Sequence, residues 1–153
     1  MSVDASFEDG AERPLNLGAL DEDDLKIISA LVQDAVFPVT EMTYDQKGRR
    51  FALLLNRFRW EDREAAEAQR RPFERVRTAV LVDSVLSVKT RGIDPEDKNM
   101  TYALLGLSFD ADEDGAGRLV LQFAGDGDLA LEVECLDLRV SDMSKPWVAK
   151  AGA

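Results

Sequence analysis

The chain has 153 residues, about one domain's worth, and a domain of this size buries roughly 70% of its unfolded surface, so neither a disulfide nor a metal is needed to hold it. Apolar residues make up 45% and charged residues 32%, ordinary globular usage that excludes a disordered chain. A single cysteine and no histidine exclude an intrachain disulfide and the usual zinc ligand sets, and a net charge of −11 argues against general affinity for nucleic acid or anionic membranes.

Residues 1–14 are polar, acidic and aperiodic, which predicts a mobile tail. Met1 to Gly18, with Asp4, Glu8, Asp9 and Glu12 and no basic cluster, does not read as a signal peptide, and no run approaches the ~18 apolar residues of a membrane span. A cytoplasmic setting with no membrane partner follows as the expectation. Leu15 and Leu17 permit a short strand. Asp21 then stands as a helix N-cap with Asp24 three positions on and Leu20 and Leu25 at the staple positions. Leu25, Ile28, Leu31, Val32 and Ala35 predict one apolar helix stripe through about Val36, ended by Pro38.

From Met42 the period becomes two. Met42 and Tyr44, a turn at Asp45-Gln46-Lys47-Gly48 in which glycine would take the positive φ, and Phe51, Leu53 and Leu55 predict a hairpin. Residues 61–74 carry charge without an apolar stripe and read as a solvated loop or marginal helical turn. Val76, Thr78, Val80 and Val82 alternate, Asp83-Ser84 interrupts, and Leu86 and Val88 resume. After a polar loop from Ile93 to Asn99, Thr101, Ala103, Leu105, Leu107 and Phe109 alternate. Leu119, Leu121 and Phe123 pair naturally with Leu129, Leu131 and Val133 across Gly125-Asp126-Gly127-Asp128. Beyond Cys135 the apolar set shifts by one residue to Leu136, Leu138 and Val140, as a bulge near Cys135 would produce. The fold class is therefore α+β, mainly antiparallel: about seven strands in a barrel or sandwich with one N-terminal amphipathic helix. Its organisation is a tail at 1–14, one globular domain at 15–147 and a second tail at 148–153.

Charge is uneven: residues 1–46 carry a net −9, residues 47–77 a net +5, and residues 78–153 a net −7. The basic segment holds Arg49, Arg50, Arg57, Arg59, Arg63, Arg70, Arg71, Arg75 and Arg77, with Phe58 and Trp60 interleaved. Arg49, Arg57, Arg59, Arg75 and Arg77 form the candidate interaction surface. Aromatics beside arginines are what single-stranded nucleic acid binders use. On a regular strand, however, Arg57 and Arg59 face opposite to Phe58 and Trp60, which separates guanidinium from ring. Phe58 and Trp60 are expected inside, and Arg57 and Arg59 in solvent or on acidic partners.

The loop Asp110-Ala111-Asp112-Glu113-Asp114-Gly115 copies the first half of a calcium loop, but its twelfth position is Leu121 rather than a bidentate glutamate, so an acidic turn is the reading preferred. Cys135, among Glu132, Glu134 and Asp137, lacks a cation to stabilise a thiolate and reads as a buried structural thiol. Glu132 and Glu134 could pair as acid and base only beneath a cleft; as alternating strand residues they are outward positions. No metal, cofactor or catalytic residue is assigned.

Leu54-Leu55-Asn56-Arg57-Phe58-Arg59-Trp60-Glu61, Val88-Lys89-Thr90-Arg91-Gly92-Ile93 and Phe123-Ala124-Gly125-Asp126-Gly127-Asp128-Leu129, with the helix segment Leu31-Val32-Gln33-Asp34-Ala35-Val36, resemble a family of small alphaproteobacterial proteins known as a domain of unknown function, DUF2948. The resemblance spans residues 15–147. It implies a bacterial cytoplasmic setting and brings no activity and no site residues. The functional reading is a non-enzymatic binding or accessory module acting through protein contacts. Its alternatives are a small carboxylate-based enzyme and single-stranded nucleic-acid binding through residues 47–77.

Overall fold

The computed structural model describes residues 14–148, so the expected tails lie outside the described residues except for Pro14 and Val148. None of the described helices is long and apolar enough to cross a membrane. Eleven strands form one antiparallel sheet: β1 (Asn16–Ala19), β2 (Val36–Pro38), β3 (Met42–Asp45), β4 (Arg50–Phe58), β5 (Glu74–Val82), β6 (Val85–Arg91), β7 (Thr101–Ala111), β8 (Gly117–Phe123), β9 (Asp128–Val133), β10 (Leu138–Asp142) and β11 (Trp147–Val148). The spatial order is β1-β10-β5-β4-β2-β7-β8-β9-β6, with β3 beside β4 and β11 beside β5. The mainly antiparallel class is as expected, but the described residues hold eleven strands rather than about seven and more than one helix, and the sheet is not closed, which corrects the barrel form of the expected barrel or sandwich.

The sheet nevertheless folds back on itself. β5 passes into β6 through Asp83-Ser84, where Ser84 takes a positive φ of 61°, and β9 passes into β10 through residues 134–137. These two corners lie together, since the Asp83 N–H donates to the Asp137 carbonyl and the Glu134 N–H to the Ser84 carbonyl, each at 3.0 Å. The inner faces of both halves and one helix thus share a core that includes Phe51, Leu53, Val80, Leu104, Leu119, Leu121, Leu131 and Val140. The one-residue shift after Val133 is this corner, not a bulge.

The helix α1 (Glu22–Leu31) starts as its sequence predicts: Asp21 is extended, and its Oδ1 accepts from the Asp24 N–H at 2.8 Å. Leu25 and Ile28 are buried, but Leu20 is exposed and makes no staple. The helix ends at Leu31 rather than Val36. Asp34 turns left-handed, its N–H donates to the Leu104 carbonyl at 2.8 Å, and Val36–Pro38 pairs with β7 as a strand. Bonding to a distant strand thus outcompetes one further turn. In the 46–49 turn the positive φ falls on Arg49, not Gly48. Gly48 instead makes room, because a Cβ there would stand 2.5 Å from Asp45 Oδ2.

Two bulges reverse expected faces. A register shift between Val85 and Ser87 buries Val85 and exposes Leu86, and one between Leu104 and Gly106 buries Leu104 and exposes Leu105. A second helix, α2 (Arg63–Ala68), follows a short 3₁₀ turn at Trp60–Asp62, where a loop or marginal turn was expected. The hairpin β8–β9 agrees throughout: Leu119, Leu121, Phe123, Leu131 and Val133 are all buried, and Gly125 and Asp126 take positive φ in its turn. Truncating a fully buried leucine removes its transfer energy and leaves a cavity, so Leu121→Ala is expected to cost about 2–5 kcal/mol, against under about 0.5 kcal/mol for exposed Leu86→Ala. Urea unfolding midpoints of the two variants check this.

Candidate functional site

Strand β4 alternates strictly. Phe51, Leu53 and Leu55 point inward, and Arg57 and Arg59 continue the same buried row, while Phe58 is half-buried on the opposite face. The predicted separation of arginines from aromatics is therefore present, with the faces exchanged: the arginines are inside. Burial is tolerated because partners meet every donor. Arg57 Nε donates to Asp142 Oδ1 at 3.1 Å and Nη2 to Asp142 Oδ2 at 2.9 Å. Nη1 and Nη2 donate to the two Glu61 oxygens at 2.9 and 2.8 Å, and Nη1 also to the Phe58 carbonyl at 3.0 Å. All five N–H groups of the guanidinium are thus used.

Asp142 is held in turn. Its Oδ1 accepts from the Thr78 hydroxyl at 2.8 Å and its Oδ2 from the Leu15 N–H at 2.7 Å, while its own N–H donates to the Leu15 carbonyl at 2.9 Å. Burial pulls the Arg57 pKa down, and the hydrogen bonds to Glu61 and Asp142 with their charges outweigh it, leaving it raised. Beside this network Arg59 Nη1 donates to Glu74 Oε1 at 2.7 Å and lies 3.7 Å from Asp62 Oδ2. Asp62 accepts both Nη1 and Nη2 of Arg71, at 2.6 and 2.7 Å. A cavity of about 410 Å³ opens beside Arg59 and Asp142, but both are already committed to these partners.

The five residues of the candidate surface therefore separate. Arg57 and Arg59 are interior. Arg49 is exposed and paired with Glu134, and Arg77 pairs with Glu41 at 3.2 Å. Arg75 differs. It lies directly opposite Phe58 on β4 and opposite Trp147 on β11, so the three side chains form a row across the outer face. Its guanidinium carbon stands 3.9 Å from the Phe58 ring centre, and Phe58 packs 5.5 Å from Trp60. Trp60 is half-buried, with Nε1 donating to the Gln33 carbonyl at 3.0 Å and Arg63 over its ring at 5.9 Å. Phe58, Arg59, Trp60, Arg63, Glu67 and Phe73 line an adjoining groove of about 300 Å³, and Phe73 and, on β11, Trp147 and Val148 are exposed. Phe73, Trp147 and Val148 were missed in the sequence because none belongs to an alternating run.

The other candidates disperse. Cys135 is exposed, which corrects the buried-thiol reading: the corner at 134–137 turns it outward. Glu132 is engaged by Arg118 at 2.7 Å and Glu134 by Arg49, so the two carboxylates answer to different arginines. Asp110, Asp112, Glu113 and Asp114 are exposed, and Asp112 caps its own turn by accepting from the Glu113 N–H at 2.9 Å. Among the described residues no three His, Cys, Asp or Glu side chains converge as a metal site would require.

Fold and site define an open antiparallel module with a salt-bridged interior and an aromatic, arginine-bearing outer face. A family model described as "Protein of unknown function (DUF2948)" matches residues 15–152, and the chain belongs to that family. No curated protein and no solved structure matches it.

Removing one partner of a buried ion pair strands the other, so Arg57→Met is expected to destabilise the fold by about 3–5 kcal/mol, while Arg77→Met, at a partly exposed pair, costs under about 1 kcal/mol; chemical denaturation checks both. The hydrogen bonds from Arg71, with the charges of Arg71 and Arg59, hold the Asp62 carboxyl below its ordinary value despite burial. A lowered folded-state pKa contributes stability that is present above the unfolded value, about 3.9, and is lost as pH falls below it through the folded value. Asp62→Asn is therefore expected to flatten the fall in melting temperature below about pH 4, measured from pH 7 to pH 2.5.

Proposed function

We propose that the protein is a non-enzymatic binding module that works through protein contacts, using the outer face built from Phe58, Arg75 and Trp147. The observation that carries this reading is the row itself, with exposed Phe73 two residues before Arg75. Aromatic residues and arginine are the side chains that anchor protein interfaces, because they bury large area at small entropic cost and join apolar contact to hydrogen bonding. The resemblance and the lone cysteine support an alphaproteobacterial cytoplasmic setting.

Single-stranded nucleic acid fits this face less well. Stacking requires open ring faces, and guanidinium groups stand over Phe58 and Trp60. The basic segment that suggested phosphate binding is largely engaged by carboxylates from within it and from elsewhere in the chain: Arg49, Arg50, Arg57, Arg59, Arg63, Arg71 and Arg77 all make ion pairs. The carboxylate-enzyme reading is weaker still, since Glu132 and Glu134 are each held by a different arginine, Arg118 and Arg49.

The test is quantitative affinity capture from the source cells with three tagged chains: wild type, Phe73→Ala/Trp147→Ala, and a Leu105→Ala control on another surface. Proteins retained by wild type and control but lost from the double variant are the expected result. Identical sets from all three, or micromolar binding of labelled single-stranded RNA at physiological salt that depends on Arg75, would overturn the reading.

A further inference from the structure

Arg75 stands apart among the nine arginines of residues 47–77. Seven are held by carboxylates, and Arg70 is exposed at a left-handed turn. Arg75 is half-buried, and its Nη1 is fully buried with no hydrogen-bond partner among the described residues. Among the described residues no carboxylate pairs with Arg75, so its charge is left to an acceptor brought from outside to the accessible part of the side chain, where a charge-assisted hydrogen bond is the stronger kind. Phe58 packs against this guanidinium, its ring centre 3.9 Å from the guanidinium carbon, which restricts the plane the group can take. Burial also lowers the Arg75 pKa, and an incoming negative charge would reverse that effect.

On the reading that this face docks proteins, we infer that the docked segment is acidic: its carboxylate accepts from Arg75, and an adjacent aromatic or branched apolar side chain packs on Phe73 and Trp147. The match is one of charge and shape together. A planar guanidinium favours a carboxylate, and the exposed rings and the 300 Å³ groove favour apolar bulk beside it. Glu67, the acidic group of that groove, is already paired with Arg63 at 3.2 Å, so it leaves Arg75 to the partner.

A library of random decapeptides displayed on phage, selected on the full chain and counter-selected on Arg75→Gln, tests this directly. The expected winners carry Asp or Glu next to an aromatic or branched apolar residue. In solution, changing that Glu to Gln, or Arg75 to Gln, should each weaken binding at least tenfold, and combining the two changes should add less than about twofold more. Arg75→Lys, which keeps the charge, should retain the preference for acid at reduced affinity, and this arm holds if Arg75→Gln folds poorly. Winners that are neutral or basic, or that bind Arg75→Gln as well as wild type, overturn the inference and leave the docking reading to the capture experiment. Failure to enrich any peptide on wild type over Trp147→Ala overturns both.

Discussion

A buried arginine with five donors must have five acceptors, and much of this molecule is arranged around meeting that demand. Taking a guanidinium out of water costs several kcal/mol unless geometry and hydrogen bonding repay it. Here the acceptors come from Asp142, Glu61 and the Phe58 carbonyl, that is, from β10, from the 3₁₀ turn after β4 and from β4 itself. Asp142 in turn holds Thr78 on β5 and the backbone of Leu15 just before β1. One ion pair thus joins the strands that sit side by side as β1, β10, β5 and β4. The apolar core is at the other end of those same strands, so packing and charge pairing close opposite ends of one wall.

The same accounting explains why a net charge of +5 over residues 47–77 does not become a basic surface. Arg57 and Arg59 turn inward with β4, Arg71 folds back onto Asp62, and Arg63, Arg77, Arg50 and Arg49 each find a carboxylate nearby. Three of those pairings, Arg57–Glu61, Arg59–Asp62 and Arg63–Glu67, are local in sequence. Others, such as Arg57–Asp142, cross 85 positions. What remains outward at this end of the sheet is chiefly aromatic, with Arg75 set among the rings.

Much of the fold was legible where signals were local. Asp21 announced the start of α1, and the unbroken alternation on either side of Gly125-Asp126 announced β8 and β9. Legibility failed where a distant strand decided. Ala35 and Val36 fit the end of a helical stripe, yet β7 claims them, the Leu104 N–H donating to the Ala35 carbonyl and Ala103 pairing with Val36. Leu86 and Leu105 looked inward because alternation assumes a regular pleat, and a bulge in each strand changes the face without changing the composition. Of the candidate site, the opposition of Arg57 and Arg59 to Phe58 and Trp60 could be read from period two alone. Which face was inside could not, because an inward arginine depends on Asp142, far along the chain. The row through Arg75 was equally hidden, since Trp147 joins it only through a two-residue strand.

The closed circuit at Arg57 has a consequence for how such a sequence can drift. Asp142, Glu61 and Thr78 each touch a group that would be left charged or unbonded if that residue alone changed, so single steps away from the set pass through a damaged intermediate. Positions 57, 61, 78 and 142 should therefore vary as a block among relatives, either keeping the ionic set entire or exchanging it together for apolar side chains of similar bulk, a replacement that buried ion pairs tolerate well.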